Sequence, residues 1–496
     1  MLIELAPLLS AFLLWAAFRP LGWGALAFVA LTPLLAAIRR VNTIRSAAGL
    51  GFVFGVGFFT PLVFWVKETG YLSLVALVLL LSAYSTLFAV MTFYARRWGR
   101  TAWFFVTVGA WAAIELIRVY VPFGGFSWGL LGYPAGEYGW TRGATQLIGT
   151  TGWSVVFIAI AAGLTLFVTD RRRPARWVVP PVALVVVLML FGAIAPPVAD
   201  GASVSVAIVQ GNSPCPDVHC ANENELIFQS HLALTKTIRT GQAELVVWPE
   251  SSAGSSVELA THPDRLTQVA AEARRLDAWF LIGSQRNLDA DSFTNLNLVL
   301  DADGTIVGEY RKRHPVPFGE YVPLRPLFDW IPALDQVPRD LLPGDENTVF
   351  ELPGGTLGSV ISFEGAFARS TRAMVREGAQ LLVVATNKAS FGDTPVSDQF
   401  IGMTRMRAAE LGTGVVHAAI TGRSAFIDAD GSLQSRTEAF ESDVLFGTAV
   451  YRSAGLTPYA RLGDWLQYLA IGVGSAIAVA AIAQQRRTRV PALEED

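Results

Sequence analysis

Cysteine is scarce in this chain: two residues among 496, Cys215 and Cys220, both in Cys215-Pro216-Asp217-Val218-His219-Cys220. A local disulfide and two unpaired thiols both fit that spacing. A zinc site built on His219 is not expected, because no second pair of ligands lies nearby. Neither cysteine follows a strand-like run into a helix-like one, so neither reads as a nucleophile. Histidine is nearly as rare, five in all, and no motif places one as a proton relay. Charge is thin too: 16% charged residues and a net charge of −3 offer no basic surface for nucleic acid. Internal repeats and low-complexity tracts are missing.

What is abundant is apolar. The hydrophobic fraction is 52% and the mean hydropathy +0.42, which points to a bilayer. Eight apolar stretches predict spans at about 2–18, 21–38, 47–66, 71–95, 102–121, 145–168, 177–197 and 465–483. Each approaches the roughly 20 residues that cross about 30 Å of hydrocarbon. The first has no basic leader and runs straight into more spans, so it does not read as a cleaved signal peptide.

Arginines set the orientation. Arg39, Arg40 and Arg45 follow the second stretch, and Arg96, Arg97 and Arg100 the fourth. Arg171, Arg172, Arg173 and Arg176 follow the sixth, and Arg486, Arg487 and Arg489 the eighth. The alternate loops hold only Arg19, Lys67 and Arg142. By the positive-inside rule both termini are cytoplasmic, and the long segment before the last span is extracytoplasmic. Within the fifth stretch, Glu115 and Arg118 share one helix face, either as a functional pair or simply as mutual partners. The aromatic and glycine-rich loop 122–133 predicts an interfacial belt or a lipid-facing lip.

Pro196-Pro197-Val198-Ala199-Asp200-Gly201 is a breaker-rich linker. We therefore expect three parts: a membrane domain over 1–198, an outward domain over 199–460, and a last span with its tail over 461–496. In the outward part, strand-like runs at 204–210, 245–248, 279–283, 295–300, 358–363, 381–386 and 415–420 alternate with helical patterns. The helical patterns cover 223–239, 263–276, 366–377 and 398–411. That alternation predicts a layered α/β domain.

Three segments of this domain carry chemistry. Val360-Ile361-Ser362-Phe363-Glu364-Gly365 stands where a strand-like run turns into a helix-like one, a place suited to a nucleophile. Trp248-Pro249-Glu250-Ser251 ends an apolar strand on a carboxylate. Lys312 opens the run ending in Pro317-Phe318-Gly319-Glu320-Tyr321. Alone, Glu250 reads as a surface carboxylate after a turn proline, and Lys312 as part of a solvated basic run. Together they supply what acyl transfer needs: a nucleophile, a base and positive charge for an oxyanion.

In this order and spacing the three segments resemble the Glu-Lys-Cys site of the nitrilase superfamily, and more closely its membrane-bound branch, the apolipoprotein N-acyltransferases. Val209-Gln210-Gly211-Asn212, Thr386-Asn387, Arg405-Met406-Arg407-Ala408-Ala409-Glu410, Thr421-Gly422 and Thr457-Pro458-Tyr459-Ala460-Arg461-Leu462-Gly463-Asp464 resemble further signatures. The resemblance implies a multi-span α-helical membrane protein of about eight spans with an inserted α/β nitrilase-like sandwich. It implies catalytic Glu250, Lys312 and Ser362, supported by Glu320, Phe363, Glu364 and Asn387. It also implies a ping-pong reaction without metal or organic cofactor. An acyl chain would pass from a membrane phospholipid to the enzyme, then to the α-amino group of the S-diacylglyceryl cysteine of an apolipoprotein.

The departures are central. Ser362-Phe363-Glu364 stands where the family has Cys-Tyr-Glu, and Lys388-Ala389-Ser390-Phe391-Gly392 lacks the usual aromatic residue. A thiol of pKa about 8.5 is partly ionised near neutrality, whereas a serine hydroxyl needs a strong nearby base. A carboxylate of ordinary pKa about 4.3 is poorly matched to that task. Three readings stay open: an N-acyltransferase using Ser362, a non-catalytic paralogue that binds lipid or lipoprotein beside an active relative, and an amidase-like hydrolase.

Overall fold

A computed structural model describes residues 2–169, 175–195, 199–215, 220–328 and 330–488. Arg171, Arg172, Arg173 and Arg489, the linker residues Pro196, Pro197 and Val198, and His219 lie outside the described residues. The chain divides into two compact units: Met1–Lys67 with Tyr71–Ala195 and Leu462–Asp496, and Glu68–Gly70 with Pro196–Arg461.

The first unit is helical. Its helices are α1 (Leu2–Ala17), α2 (Thr32–Arg40), α3 (Ile44–Leu62), α4 (Tyr71–Ala95), α5 (Gly99–Arg118), α6 (Gly139–Thr169), α7 (Ala175–Ile194) and a C-terminal helix (Trp465–Thr488). Among the described residues, five stretches are long and apolar enough to cross a membrane: Ile44–Leu62, Tyr71–Arg118, Gly139–Thr169, Ala175–Ile194 and Trp465–Arg486. Tyr71–Arg118 contains both α4 and α5. The stretch expected as one span at 21–38 is not a continuous helix but a 3₁₀ turn, Gly24–Phe28, followed by the nine-residue α2. Gly22 at φ 67° and Pro33 in the first turn of α2 break the run, and nine residues rise only about 14 Å.

Lipid gives helices no hydrophobic reason to associate, so close contact through small residues matters. Gly51 and Gly55 on α3 meet α4 with no room for a side chain. A Cβ would lie 2.6 Å from Ser85 O at the first and 2.6 Å from Ser82 Cα at the second. Gly109 on α5 meets Gly474 on the C-terminal helix in the same way. Glu115 and Arg118 are both buried, and their hydrogen bonds go to the loop that follows α5. Glu115 Oε1 accepts from Leu131 N at 2.7 Å, and Arg118 donates to the carbonyls of Trp128 and Gly129. That loop is drawn inward: Trp128, Leu130, Leu131 and Tyr133 are buried, while Phe123 stays exposed. An exposed aromatic belt thus describes only part of 122–133.

The second unit is a sandwich of two sheets. Its strands are β1 (Ser203–Gln210), β2 (Leu245–Ala253), β3 (Trp279–Asn287), β4 (Ser292–Leu300), β5 (Ile306–Arg311), β6 (Asp340–Leu341), β7 (Val349–Leu352), β8 (Gly355–Ile361), β9 (Leu381–Thr386), β10 (Val415–Ala419), β11 (Ala425–Ile427), β12 (Leu433–Arg436) and β13 (Asp443–Val450). One sheet runs β13-β1-β2-β3-β4-β5 with β6 beside β4, and the other β12-β11-β10-β9-β8-β7. Helices α8 (Glu223–Thr235) and α9 (Pro263–Leu276) pack Phe228, Leu232, Val269, Ala273 and Leu276 onto the first sheet. Helices α10 (Arg325–Phe328), α11 (Ala368–Arg376) and α12 (Val396–Leu411) also belong to this unit, whose end falls in a short helix, Pro458–Leu462.

Nearly continuous apolar strands such as Leu381–Thr386 are buried on both faces, as a helix-covered sandwich demands. Between the sheets, Asn297 Nδ2 donates to Ser359 Oγ at 2.6 Å. Cys215 and Cys220 are joined in a disulfide, with Cα atoms 6.0 Å apart.

Candidate active site

Glu250 lies inside β2 rather than after it. Trp248 pairs with Ile282 and Ala253 with Ser284, so residues 249–252 bulge opposite the single residue Gly283. Pro249 has no N–H for a ladder, and Ser251 takes φ 62°, so the sequence itself breaks the pairing. Gly283 makes room for the bulge, since a Cβ there would sit 2.2 Å from Pro249 O. The Glu250 carboxylate is only 4% exposed. Its Oε1 accepts from Asn295 Nδ2 at 2.8 Å and Lys312 Nζ at 3.4 Å, and its Oε2 accepts from Asn387 N at 2.6 Å.

Lys312 sits one residue past β5 and prolongs it, its N–H donating to Asn295 O at 2.8 Å. The ammonium is fully buried and also donates to Glu320 Oε1 at 2.5 Å. Burial alone would pull the lysine down, but the carboxylates of Glu320 and Glu250 lift it above its ordinary value. It therefore remains a fixed positive charge. Burial pushes Glu320 up, against the pull of Lys312 and with the help of Glu250. The other oxygen of Glu320 accepts from Val316 N at 2.7 Å and closes the loop that carries it.

Ser362 opens a 3₁₀ turn, Ser362–Ala366, directly after β8. Its φ of 51° is an unusual conformation for a residue with a Cβ, of the kind held at functional elbows. The expected strand end at Phe363 thus falls two residues earlier, at Ile361. Glu364 is fully buried and ties this elbow to the Lys312 loop. Its Oε2 accepts from Ile361 N at 2.8 Å, and its Oε1 from Arg313 N at 2.8 Å and His314 N at 3.1 Å. Tyr310 Oη donates to both oxygens. Burial pushes Glu364 up, but the bonds from His314 and Ile361 hold it below the usual carboxylate value. Phe363 is half-buried and meets the Phe367 ring edge-on at 4.9 Å.

Glu250, Lys312, Glu320 and Asn387 therefore form one hydrogen-bonded group. The elbow that carries Ser362 is tied toward this group by two connections. Glu364 links the elbow to the Lys312 loop, and Ile361 pairs with Ala385, two residues before Asn387. Three residues were missed from sequence: Asn295, Tyr310 and Lys388. Asn295 had a signal, a polar residue within the apolar run of β4. Lys388 had only its place after Asn387.

Residues 205–459 match the carbon-nitrogen hydrolase family, and residues 10–163 match the apolipoprotein N-acyltransferase N-terminal domain. The apolipoprotein N-acyltransferase of Geobacter metallireducens is 30% identical, the match covering 98% of this chain and 96% of that protein. That of Nitrosomonas europaea is also 30% identical, over 97% of this chain and 99% of the relative. That of Mycolicibacterium smegmatis is 29% identical over 96% and 84%. With both family segments present and relatives aligned nearly end to end, the chain belongs to the apolipoprotein N-acyltransferase family.

Proposed function

We propose that this protein moves an acyl chain from a membrane phospholipid, through Ser362, to the α-amino group of the S-diacylglyceryl cysteine of an apolipoprotein. The observation that carries this reading is the buried Glu250–Lys312 pair together with a serine on a strained strand-to-turn elbow, which Glu364 ties to the Lys312 loop. Ser362 attacks the donor's ester carbonyl, and its oxygen becomes acylated. Lys312 supplies positive charge for the oxyanion. Glu250 accepts a proton, most directly from the incoming amine, because Oε2 keeps one lone-pair direction open beside the Asn387 bond. Glu320 holds Lys312, while Glu364 and Asn387 fix the elbow and the base. Phe363 borders the nucleophile.

The topology belongs to the same proposal: about eight crossings, both termini cytoplasmic and the catalytic domain outside. Residues 1–198 and 461–496 form the membrane parts and 199–460 the outer domain. The arginine-rich loops and the Cys215–Cys220 disulfide support this, since disulfides persist outside the reducing cytoplasm.

A second reading, a paralogue that binds lipid or lipoprotein and assists an active relative, draws on one observation: oxygen stands at Ser362 where the family carries sulfur. The deciding experiment expresses the full chain in cells depleted of their own N-acyltransferase and measures lipoprotein N-termini by mass spectrometry. Triacylated N-termini are expected. Diacylated N-termini alone, with the protein present in the membrane, would favour the paralogue.

A further inference from the structure

Lys388 is the group in this site that neither the family motifs nor the roles above employ. It follows Asn387, whose backbone N–H holds Glu250, and precedes a short turn, Ala389–Phe391. Only 7% of it is exposed. Among the described residues its ammonium has no hydrogen-bond acceptor. It rests instead over two rings, 4.6 Å from the centroid of Phe400 and 5.7 Å from that of Phe391. Phe400 also walls the elbow, since a Cβ at Gly365 would lie 3.1 Å from Phe400 Cζ. The lysine and the turn that begins at Ser362 thus share one aromatic surface. The strand register agrees: β8 and β9 run parallel with Ile361 opposite Ala385, so the residues leaving both strands emerge side by side.

We propose that Lys388, as the neutral amine, takes the hydroxyl proton of Ser362 during acylation. This rests on the reading that Ser362 is the acyl-accepting nucleophile. A serine needs a stronger base than a cysteine does, and a serine paired with a lysine is a known solution on other folds. The titratable groups that act on Lys388 or feel it are Glu250, Glu320, Lys312 and His417. Burial pulls the amine down to about 8; Lys312 adds to this, and Glu250 and Glu320 oppose it. His417 is itself pulled down to about 3 by burial and Lys388, so it is neutral and adds no charge.

The step balances. The Ser362 Oγ–H proton passes to Lys388 Nζ as Oγ bonds to the ester carbonyl carbon of the phospholipid. The tetrahedral oxyanion collapses, the carbon–oxygen bond to glycerol breaks, and Lys388 returns the proton to the leaving oxygen. The products are O-acyl-Ser362 and a lysophospholipid, with the amine restored. Glu250 stays free for the second half-reaction.

The test follows O-acyl-Ser362 by intact mass in the full-length protein, reconstituted with phospholipid, from pH 6 to 9.5. The parent rate should rise about tenfold per pH unit and level off above about 8, as the amine loses its proton. Lys388→Met and Lys388→Arg should both be slowed about 10²–10⁴-fold, with the rise at pH 8 gone. Arginine keeps the charge but cannot act as a base. Ser362→Cys combined with Lys388→Met should still be acylated, which also shows that the site folds. A Lys388→Met protein that keeps the parent's rate and pH rise overturns the proposal and leaves the acyl-transfer reading standing. So does rescue by arginine, which would assign a merely electrostatic role. A parent silent at every pH beside an active Ser362→Cys removes serine as nucleophile, and with it a base for serine.

Discussion

The backbone N–H of Asn387 donates to Glu250 Oε2 at 2.6 Å, across 137 residues of sequence and between the two sheets. The Glu250 carboxylate is therefore aimed by the chain that leaves β9, the strand paired with the one that leads into Ser362. Glu250 and Ser362, the base and nucleophile of the proposal, are both held at neighbouring strand ends, so disturbing either should be felt by the other.

Glu250→Gln should lower the transfer of the acyl chain from Ser362 to the lipoprotein amine by about 10²–10⁴. The amide is neutral beside Lys312 and presents N–H groups where three donors already converge. The decay of O-acyl-Ser362 on addition of a diacylated lipoprotein peptide, followed by intact mass, would check this. A rate unchanged within about threefold would remove Glu250 from the chemistry.

Glu364→Gln should loosen the elbow without touching the nucleophile. Losing a buried acceptor should cost about 1–3 kcal/mol at neutral pH. The carboxyl of Glu364 is lowered in the folded protein, so its stabilisation is fully present above the unfolded value of about 4.3 and is lost as pH falls through the lower folded value. Thermal unfolding from pH 6 down to pH 3 should therefore fall more steeply for the parent than for the variant. Parallel curves would refute the assignment.

Reporter fusions after residue 300 should be active outside the cytoplasm, and fusions at either terminus inside it. Lipoproteins bearing the substrate cysteine mature on the outer face, so a cytoplasmic reporter at residue 300 would defeat the functional proposal as a whole.

Ser362→Cys should produce a thiol that accumulates acyl chain from phospholipid and becomes visible to a thiol-directed lipid probe. The elbow is already tied to the Lys312 loop through Glu364, and the change asks only for a nucleophile of lower pKa. If neither parent nor variant acylates, Phe363 or the 387–391 segment has altered the site as well.

Strongly periodic features were legible. Apolar runs and arginine clusters mark the helices α3 to α7, and alternating strand and helix patterns mark the layered domain. What stayed hidden depends on contacts far apart in sequence. The β2 bulge is announced by Pro249, but its direction depends on the missing Cβ of Gly283 on the next strand. The apolar run 21–38 has the composition of a span, yet Gly22 and Pro33 divide it. Lys388 reads locally as an ordinary polar residue in a loop. Only the rings of Phe391 and Phe400, brought over it by the turn and by α12, reveal a buried amine.

The outermost strand of the first sheet carries its own consequence. Strand β13 pairs antiparallel with β1 along its whole length, from Ser203 opposite Val450 to Gln210 opposite Asp443. The first strand to be synthesised thus waits for the last. During translocation β1 would present an unpaired edge until the ribosome has delivered residues 443–450, a window in which other chains could add to it. A chain cut short before Asp443 would never close that edge, so truncation there should yield aggregates rather than a smaller folded domain.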